Sequence, residues 1–175
     1  MEAQADNGVI LKKDVTTTTG ALYLDADVDN QNDADNKVGF TDARTVTSKT
    51  ILTLESTTGS IVPAGTLTLA AGMGIVIHNA MTGKATSKSL VINADYESHG
   101  DGTLTIVATK TFDSNDSLIQ LTVWDLDMAG DMDAGTATMQ LHGAKLTQTI
   151  GLGITSKDMH LDAAELGKVW ASNPK

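Results

Sequence analysis

The segment ILTLESTTGSIVPAGTLTLAAGMGIVI, residues 51–77, holds three apolar triplets separated by turns rich in Gly, Ser and Thr. In an extended strand the outer two residues of a triplet point to one face and the middle residue to the other. The pattern occurs ten times, at VIL 9–11, LYL 22–24, VGF 38–40, LTL 52–54, LTL 67–69, IVI 75–77, LVI 90–92, LTI 104–106, LTV 121–123 and MQL 139–141. Each predicted strand therefore has one apolar face that its neighbours must cover.

Five blocks of sequence recur in one order, each displaced by roughly 66–70 residues, as in a long internal repeat. The matches are GVIL 8–11 with GIVI 74–77, LYLDADV 22–28 with LVINADY 90–96, ARTVTSKT 43–50 with TKTFDSND 109–116, LTL 52–54 with LTV 121–123, and AGT 64–66 with AGT 134–136. Such self-similarity is typical of repeat architectures, whose units bury their apolar faces by stacking. It predicts a lead-in over residues 1–7 and a solenoid over 8–155, with repeats at 8–73 and 74–142 and a degenerate third copy.

Short strands at this spacing fit two architectures, a β-solenoid or an antiparallel β-sandwich. A sandwich would need hairpin turns and aromatic residues in its core, and the chain has only six aromatic residues. A solenoid stacks like residues on like, so Leu, Ile and Val suffice. We therefore predict an all-β solenoid, with the sandwich as the alternative. Residues 156–175 are expected to form a tail or cap. In it, residues 156–170 fit a short helix with Ser156 as N-cap and Asp158 in the first turn, and the alternative is one more degenerate strand-and-turn coil.

The composition excludes several classes of function. The chain has 175 residues, with 22 acidic residues against 12 basic ones and a net charge of −10. A nucleic-acid partner would require clustered Lys and Arg instead. There is no cysteine, which excludes disulfides and thiolate metal sites. No apolar run approaches the length of about 18 residues that a membrane helix needs, and the opening residues MEAQADNG lack the features of a signal peptide.

Three strings carry a resemblance to a known family: DVTTTTGALYLDADVDN at 14–30, STTGSIVPAGTLTLAAGMGIVIHN at 56–79 and LTQTIGLG at 146–153. They resemble the repeats of very large secreted β-strand-repeat proteins of cell surfaces, which are similar to filamentous-haemagglutinin-type adhesins. The resemblance implies a right-handed parallel β-helix that serves as an extracellular stalk, fibre or adhesive surface. It carries no catalytic motif over to any residue of this chain.

Acidic and amide side chains form three clusters in which oxygen-bearing residues alternate along the chain. The spacing i, i+2, i+4 is that of the start of an EF-hand loop, although Asn30 and Asn36 stand where that loop needs Gly and Glu. Oxygen ligands without His or Cys favour Ca²⁺, whereas the alternative is a set of solvated turn residues. The candidate calcium ligands are Asp25, Asp27, Asp29, Asp33, Asn93, Asp95, Glu97, Asp101, Asp125 and Asp127.

These features predict a non-catalytic structural segment that associates end to end with itself or with other cell-surface components. The alternative is a calcium-dependent surface module that binds a glycan or a protein. A polysaccharide-active enzyme is less favoured, because the Arg and aromatic residues that grip sugars are nearly absent. An ice-binding face is also less favoured, because the outward Thr pairs are unevenly spaced, at 45 and 47, 66 and 68, 103 and 105, 109 and 111, and 136 and 138.

Overall fold

The chain winds into a parallel β-solenoid, as a computed structural model that describes residues 1–171 shows. Each coil contributes one strand to each of three sheets, which we call A, B and C. All strand pairs within the described residues are parallel, so the solenoid prediction is confirmed and the antiparallel sandwich is wrong.

The strands of each sheet follow one another along the solenoid axis. Sheet A stacks β1 (Glu2–Gln4), β4 (Leu22–Asp25), β7 (Ile51–Glu55), β10 (Gly74–Ile77), β13 (Thr103–Ile106) and β16 (Asp125–Met128). Sheet B stacks β2 (Val9–Leu11), β5 (Lys37–Phe40), β8 (Ser60–Pro63), β11 (Met81–Thr82), β14 (Thr111–Asp113), β17 (Asp131–Asp133) and β21 (Val169–Trp170). Sheet C stacks β3 (Val15–Thr16), β6 (Arg44–Ser48), β9 (Leu67–Ala71), β12 (Leu90–Asn93), β15 (Ile119–Val123) and β18 (Met139–Gly143).

The core is a set of apolar ladders that run through the stack. In sheet A, one ladder joins residues of five successive coils, Leu22, Leu52, Ile75, Leu104 and Leu126, all of them buried. Each such side chain stabilises the fold by about 1.5–3 kcal/mol relative to an exposed position. Neighbouring rungs of this ladder have similar volumes and pack without aromatic residues, whereas the buried Phe40 and Phe112 belong to sheet B.

All ten apolar triplets of the sequence lie in strands, and the outer residues of most of them are buried. Several strands without a triplet lie in sheet B, and in four of them a large inward residue has outward neighbours, although β8 also buries Pro63. In β8, β11, β14 and β17 that inward residue is Ile61, Met81, Phe112 and Met132, respectively. An apolar triplet cannot mark a strand that turns a single side chain inward.

The long repeat read from the sequence is not the repeat of the structure. Stacked positions recur once per coil, as in the series Leu22, Leu52, Ile75, Leu104 and Leu126. The length of one coil is much shorter than the displacement between the matched sequence blocks. Four of the five sequence matches join strands that are eight apart in chain order, β2 with β10, β4 with β12, β6 with β14 and β7 with β15. Since a coil has three strands, a step of eight leads to a different sheet, so the matched segments do not stack.

Both ends differ from the predicted boundaries. Residues 2–4, expected in the lead-in, form β1 and pair with β4. In the tail, β19 (Ile150–Leu152) pairs with β20 (Met159–Leu161), and helix α1 (Ala163–Leu166) precedes β21, which continues sheet B. The short helix is present, but its N-cap is Asp162 rather than Ser156, because Asp162 and Glu165 form a capping box. Residues 172–175 of the expected tail lie outside the described residues.

The tail is attached to the last strand of sheet A. The Glu165 carboxylate accepts a hydrogen bond from Met128 N at 3.3 Å, and Lys168 Nζ donates to Met128 O at 2.8 Å. These side chains bind backbone groups at the end of β16, so the tail covers part of this end of the stack. Sheet C has no such cover within residues 1–171, where β18 pairs with β15 alone.

Candidate functional site

The first acidic cluster lies where the chain leaves β4 and crosses to sheet B. Asp25 is buried, and its Oδ1 accepts a hydrogen bond from Asp27 N at 3.0 Å. The Tyr23 hydroxyl lies 2.7 Å from Glu55 Oε2 and 3.3 Å from Asp25 Oδ2. Burial and then the hydrogen bond to Glu55 raise the pKa of the Tyr23 phenol well above its ordinary value of 10.0. Both oxygens of Asp25 therefore serve the local structure of the strand and its turn.

The remaining acids of this cluster belong to an exposed loop. Asp29 accepts a hydrogen bond from Gln31 N at 3.1 Å, an Asx-type turn, and Asp33 is exposed. Asp27 differs from both, because it is buried at the base of the loop and its Oδ2 accepts a hydrogen bond from Thr58 N at 2.6 Å. The cluster is thus divided between a buried base and a solvated tip.

The second cluster lies at a different corner, between sheets C and A. Asn93 accepts a hydrogen bond from Asp95 N at 3.2 Å, and the buried Asp95 accepts from His99 N at 3.0 Å and Gly100 N at 2.8 Å. Glu97 forms an ion pair with Lys49, which lies two coils earlier. Asp101 is exposed. These contacts fold the corner and join it to another coil.

The third cluster lies on the outer face of sheet A. Asp125 and Asp127 point away from the core, with the buried Leu126 between them, and they stack on Thr103 and Thr105. Their positions on a strand separate them from both loop clusters, which lie at two different corners. Among the described residues, no three His, Cys, Asp or Glu side chains are grouped so that they could hold a metal ion. Calcium binding at the three clusters stays a prediction.

The Thr pairs considered for an ice-binding face are divided among the sheets. Thr45 and Thr47 lie on sheet C, whereas Thr103 and Thr105 lie on sheet A. Thr111 lies on sheet B. The structure does not bring these pairs together into one regular face.

A polar group that the sequence marks only through Asp27 lies at the base of the first loop, residues 26–36. Asp27, Asn36 and Ser56 are 1%, 6% and 0% exposed. Asp27 Oδ1, Asn36 Oδ1 and Ser56 Oγ have no hydrogen-bond partner within residues 1–171. Buried polar atoms in folded proteins are nearly always satisfied, which makes this group, here called the corner site, unusual. Asn36 entered the sequence analysis only as a mismatch to the EF-hand pattern, and no local signal marks Ser56.

A second feature is an apolar hollow at the C-terminal end of the stack. It has a volume of about 300 Å³ and is lined by residues of the last coils and the tail, among them Leu126, Leu141, Leu161, Leu166 and Val169. The hollow continues the core beyond the last complete coil. At this face Leu126 of sheet A is buried, whereas Leu141 of sheet C is only partly buried.

Comparison with family models, with curated proteins and with solved structures finds no match to this chain. The likeness to secreted β-strand-repeat proteins extends to the parallel, stacked strands, and no family evidence supports the adhesin group. Within residues 1–171 no helix has the length and apolar character required to cross a membrane.

Proposed function

We propose that this chain is a non-catalytic structural segment of an extracellular repeat protein, a fibre, stalk or adhesive surface, which associates end to end. The observation that carries the proposal is the continuity of the three parallel sheets from coil to coil. At about 4.8 Å per coil, the six coils extend the stack by roughly 30 Å. A solenoid of this kind is a spacer whose length is set by the number of its coils.

The free strand edges support end-to-end association. Among residues 1–171, β3 pairs only with β6 and β18 pairs only with β15, so sheet C has one open edge at each end of this part of the chain. Open edges with unpaired backbone groups are templates for further strands. A second copy that continued the stack would place Val15 beside Leu141, because these two residues belong to the same inward ladder.

The test is the mass of the protein in solution, measured by light scattering over a range of protein concentrations. We expect the mass to rise with concentration above the 18.3 kDa of one chain. The variant Leu141→Lys places a charge on the inward side of the edge strand and should remain monomeric. The matched control His142→Lys changes the outward neighbour of Leu141 and should associate as the wild type does.

Circular dichroism would establish that both variants keep the β-solenoid. A wild-type mass that stays at one chain over the whole range would contradict end-to-end association. Association of Leu141→Lys equal to that of the wild type would exclude the edge of β18 as the contact. Turnover in a screen of polysaccharides would contradict the non-catalytic role.

A further inference from the structure

We propose that the corner site binds one Ca²⁺ ion through Asp27 Oδ1, Asn36 Oδ1 and Ser56 Oγ. This assignment is independent of the proposed structural role, since it concerns an internal site and not the ends of the stack. It differs from the EF-hand-like spacing in the sequence, because two of its three ligands are not acids and one of them comes from the next coil.

Ser56 begins the turn at residues 56–59, and Asp27 and Asn36 contact Thr58 within that turn. The turn is closed by a hydrogen bond from Gly59 N to Ser56 O at 2.9 Å. Thr58 within it donates from its backbone N to Asp27 Oδ2 at 2.6 Å, and its Oγ1 accepts from Asn36 Nδ2 at 2.9 Å. Asp27 and Asn36 are thereby held against the same residue of the neighbouring coil.

Gly59 permits a close approach of two successive coils at this point. A Cβ atom on Gly59 would lie 1.6 Å from the backbone oxygen of Asn36 and 2.5 Å from Ser56 Oγ. Two oxygens from successive coils thus approach the position that a side chain at residue 59 would occupy. Any residue with a Cβ at position 59 would collide with these two oxygens and push the two coils apart.

The orientation of the Asn36 amide is fixed by its partners. Asn36 Nδ2 lies 2.5 Å from Gln31 O, which only accepts hydrogen bonds. Thr58 Oγ1 also donates to Gln31 O, at 3.0 Å, so this hydroxyl accepts from Asn36 Nδ2. Asn36 Oδ1 is therefore the atom that faces away from these contacts, and it needs a donor or a cation.

The charge of Asp27 favours a cation over a bridging water. The ion pairs within residues 1–171 do not involve Asp27; they join Lys37 to Asp35, Arg44 to Asp14, Lys49 to Glu97, Lys88 to Asp42 and His99 to Glu97. A water molecule would satisfy hydrogen bonds but leave a buried carboxylate uncompensated, which is unfavourable. A cation bound at Oδ1 would neutralise this charge.

The donor set selects the type of cation. A carboxylate, an amide and a hydroxyl are oxygen donors, which suit hard cations rather than transition metals. Ca²⁺ accepts six to eight oxygens in flexible geometry, whereas Mg²⁺ demands near-ideal octahedral geometry and gives up its water reluctantly. A site with a single carboxylate belongs to the weak range of calcium affinities, about 0.1–1 mM, typical of extracellular modules.

The experiment combines equilibrium dialysis against radioactive calcium with thermal melting, in a potassium buffer free of sodium. Wild-type protein should bind one Ca²⁺ per chain. Its melting temperature should rise by about 5–10 °C at a calcium concentration about a hundredfold above Kd. Asp27→Asn should weaken calcium binding by at least about tenfold. In chelator this variant should melt no lower than the wild type, because it removes an uncompensated buried charge.

The matched control is Asp29→Asn, which removes an exposed carboxylate of the same loop and should bind calcium as the wild type does. If Asp27→Asn fails to fold, Ser56→Ala provides the same comparison, because it removes one ligand and no hydrogen bond. Its calcium affinity should also fall by about tenfold. The proposal is overturned if the wild type binds no calcium, if Asp27→Asn or Ser56→Ala binds it unchanged, or if sodium raises the melting temperature as calcium does.

Discussion

Replacing Phe112 by alanine tests the ladder packing in the middle of the stack. Phe112 is fully buried in β14, and in sheet B it lies between Met81 of the preceding coil and Met132 of the next. A buried Phe→Ala substitution removes apolar contacts and leaves a cavity, at a cost of about 3–5 kcal/mol in the free energy of unfolding. Because Phe112 lies between residues of the two adjacent coils, the cavity weakens both interfaces of the coil that carries it.

The assay is urea unfolding followed by circular dichroism and by the fluorescence of the two tryptophans. Thr111→Ala is the matched control, because Thr111 is the exposed neighbour of Phe112 on the same strand. It should change the free energy of unfolding by no more than about 0.5 kcal/mol. A loss below about 1 kcal/mol for Phe112→Ala, or equal losses for the two variants, would refute the inward position of Phe112.

Two further predictions concern backbone space and pH. Gly59→Ala should destabilise the protein by about 1–3 kcal/mol, because the new Cβ would lie 1.6 Å from Asn36 O. Gly167→Ala, by contrast, should stabilise the protein by about 0.4–1 kcal/mol, because Gly167 has a helical φ of −69°. Urea unfolding measures both changes, and an unchanged free energy of unfolding for Gly59→Ala would contradict the close approach. Hydrogen bonds from Thr136 N and Oγ1 lower the pKa of the Asp116 carboxyl below its ordinary value of 3.8. Its stabilising effect is therefore present above that value and lost as the pH falls through the folded-state pKa. Wild-type protein should melt above Asp116→Asn at pH 6, and the difference should shrink as the pH falls below 3.8; a difference that does not change with pH would contradict this.

The fold class follows from the sequence because strand periodicity is a local property. Triplets such as LTL 52–54 and LVI 90–92 show which residues face inward without any knowledge of their partners. The register between coils is not local. Strands of all three sheets share the same apolar pattern, so a sequence match cannot distinguish β4 from β12, and the apparent long repeat joined strands of different sheets. A two-residue strand such as β11 has too few positions to show any periodicity.

The corner site could be predicted only in part, for the same reason. The alternation of acids predicts Asp27 together with Asp25 and Asp29, whose carboxylates instead accept hydrogen bonds from Asp27 N and Gln31 N within their own turns. Its neighbours in space include Thr58, which lies 31 residues away in sequence, so the site is assembled across two coils. The spacing of residues within the loop at 26–36 does not identify Thr58 as a neighbour, because that contact depends on the length of the coil between them.

The coil lengths nevertheless contain a signal for such sites. The crossing between sheets A and B is a tight turn in the coil of β7, at 56–59, but a long loop in the coil of β4, at 26–36. The crossing from sheet C to sheet A is likewise expanded, to 94–102, in the coil of β12. These two insertions lengthen the coils from Leu22 to Leu52 and from Ile75 to Leu104, and they contain most residues of the first two acidic clusters. A solenoid tolerates extra residues at its corners because they do not disturb the ladders. Binding sites can therefore form in such insertions, and the expanded crossing at 26–36 contributes Asp27 and Asn36 to the corner site.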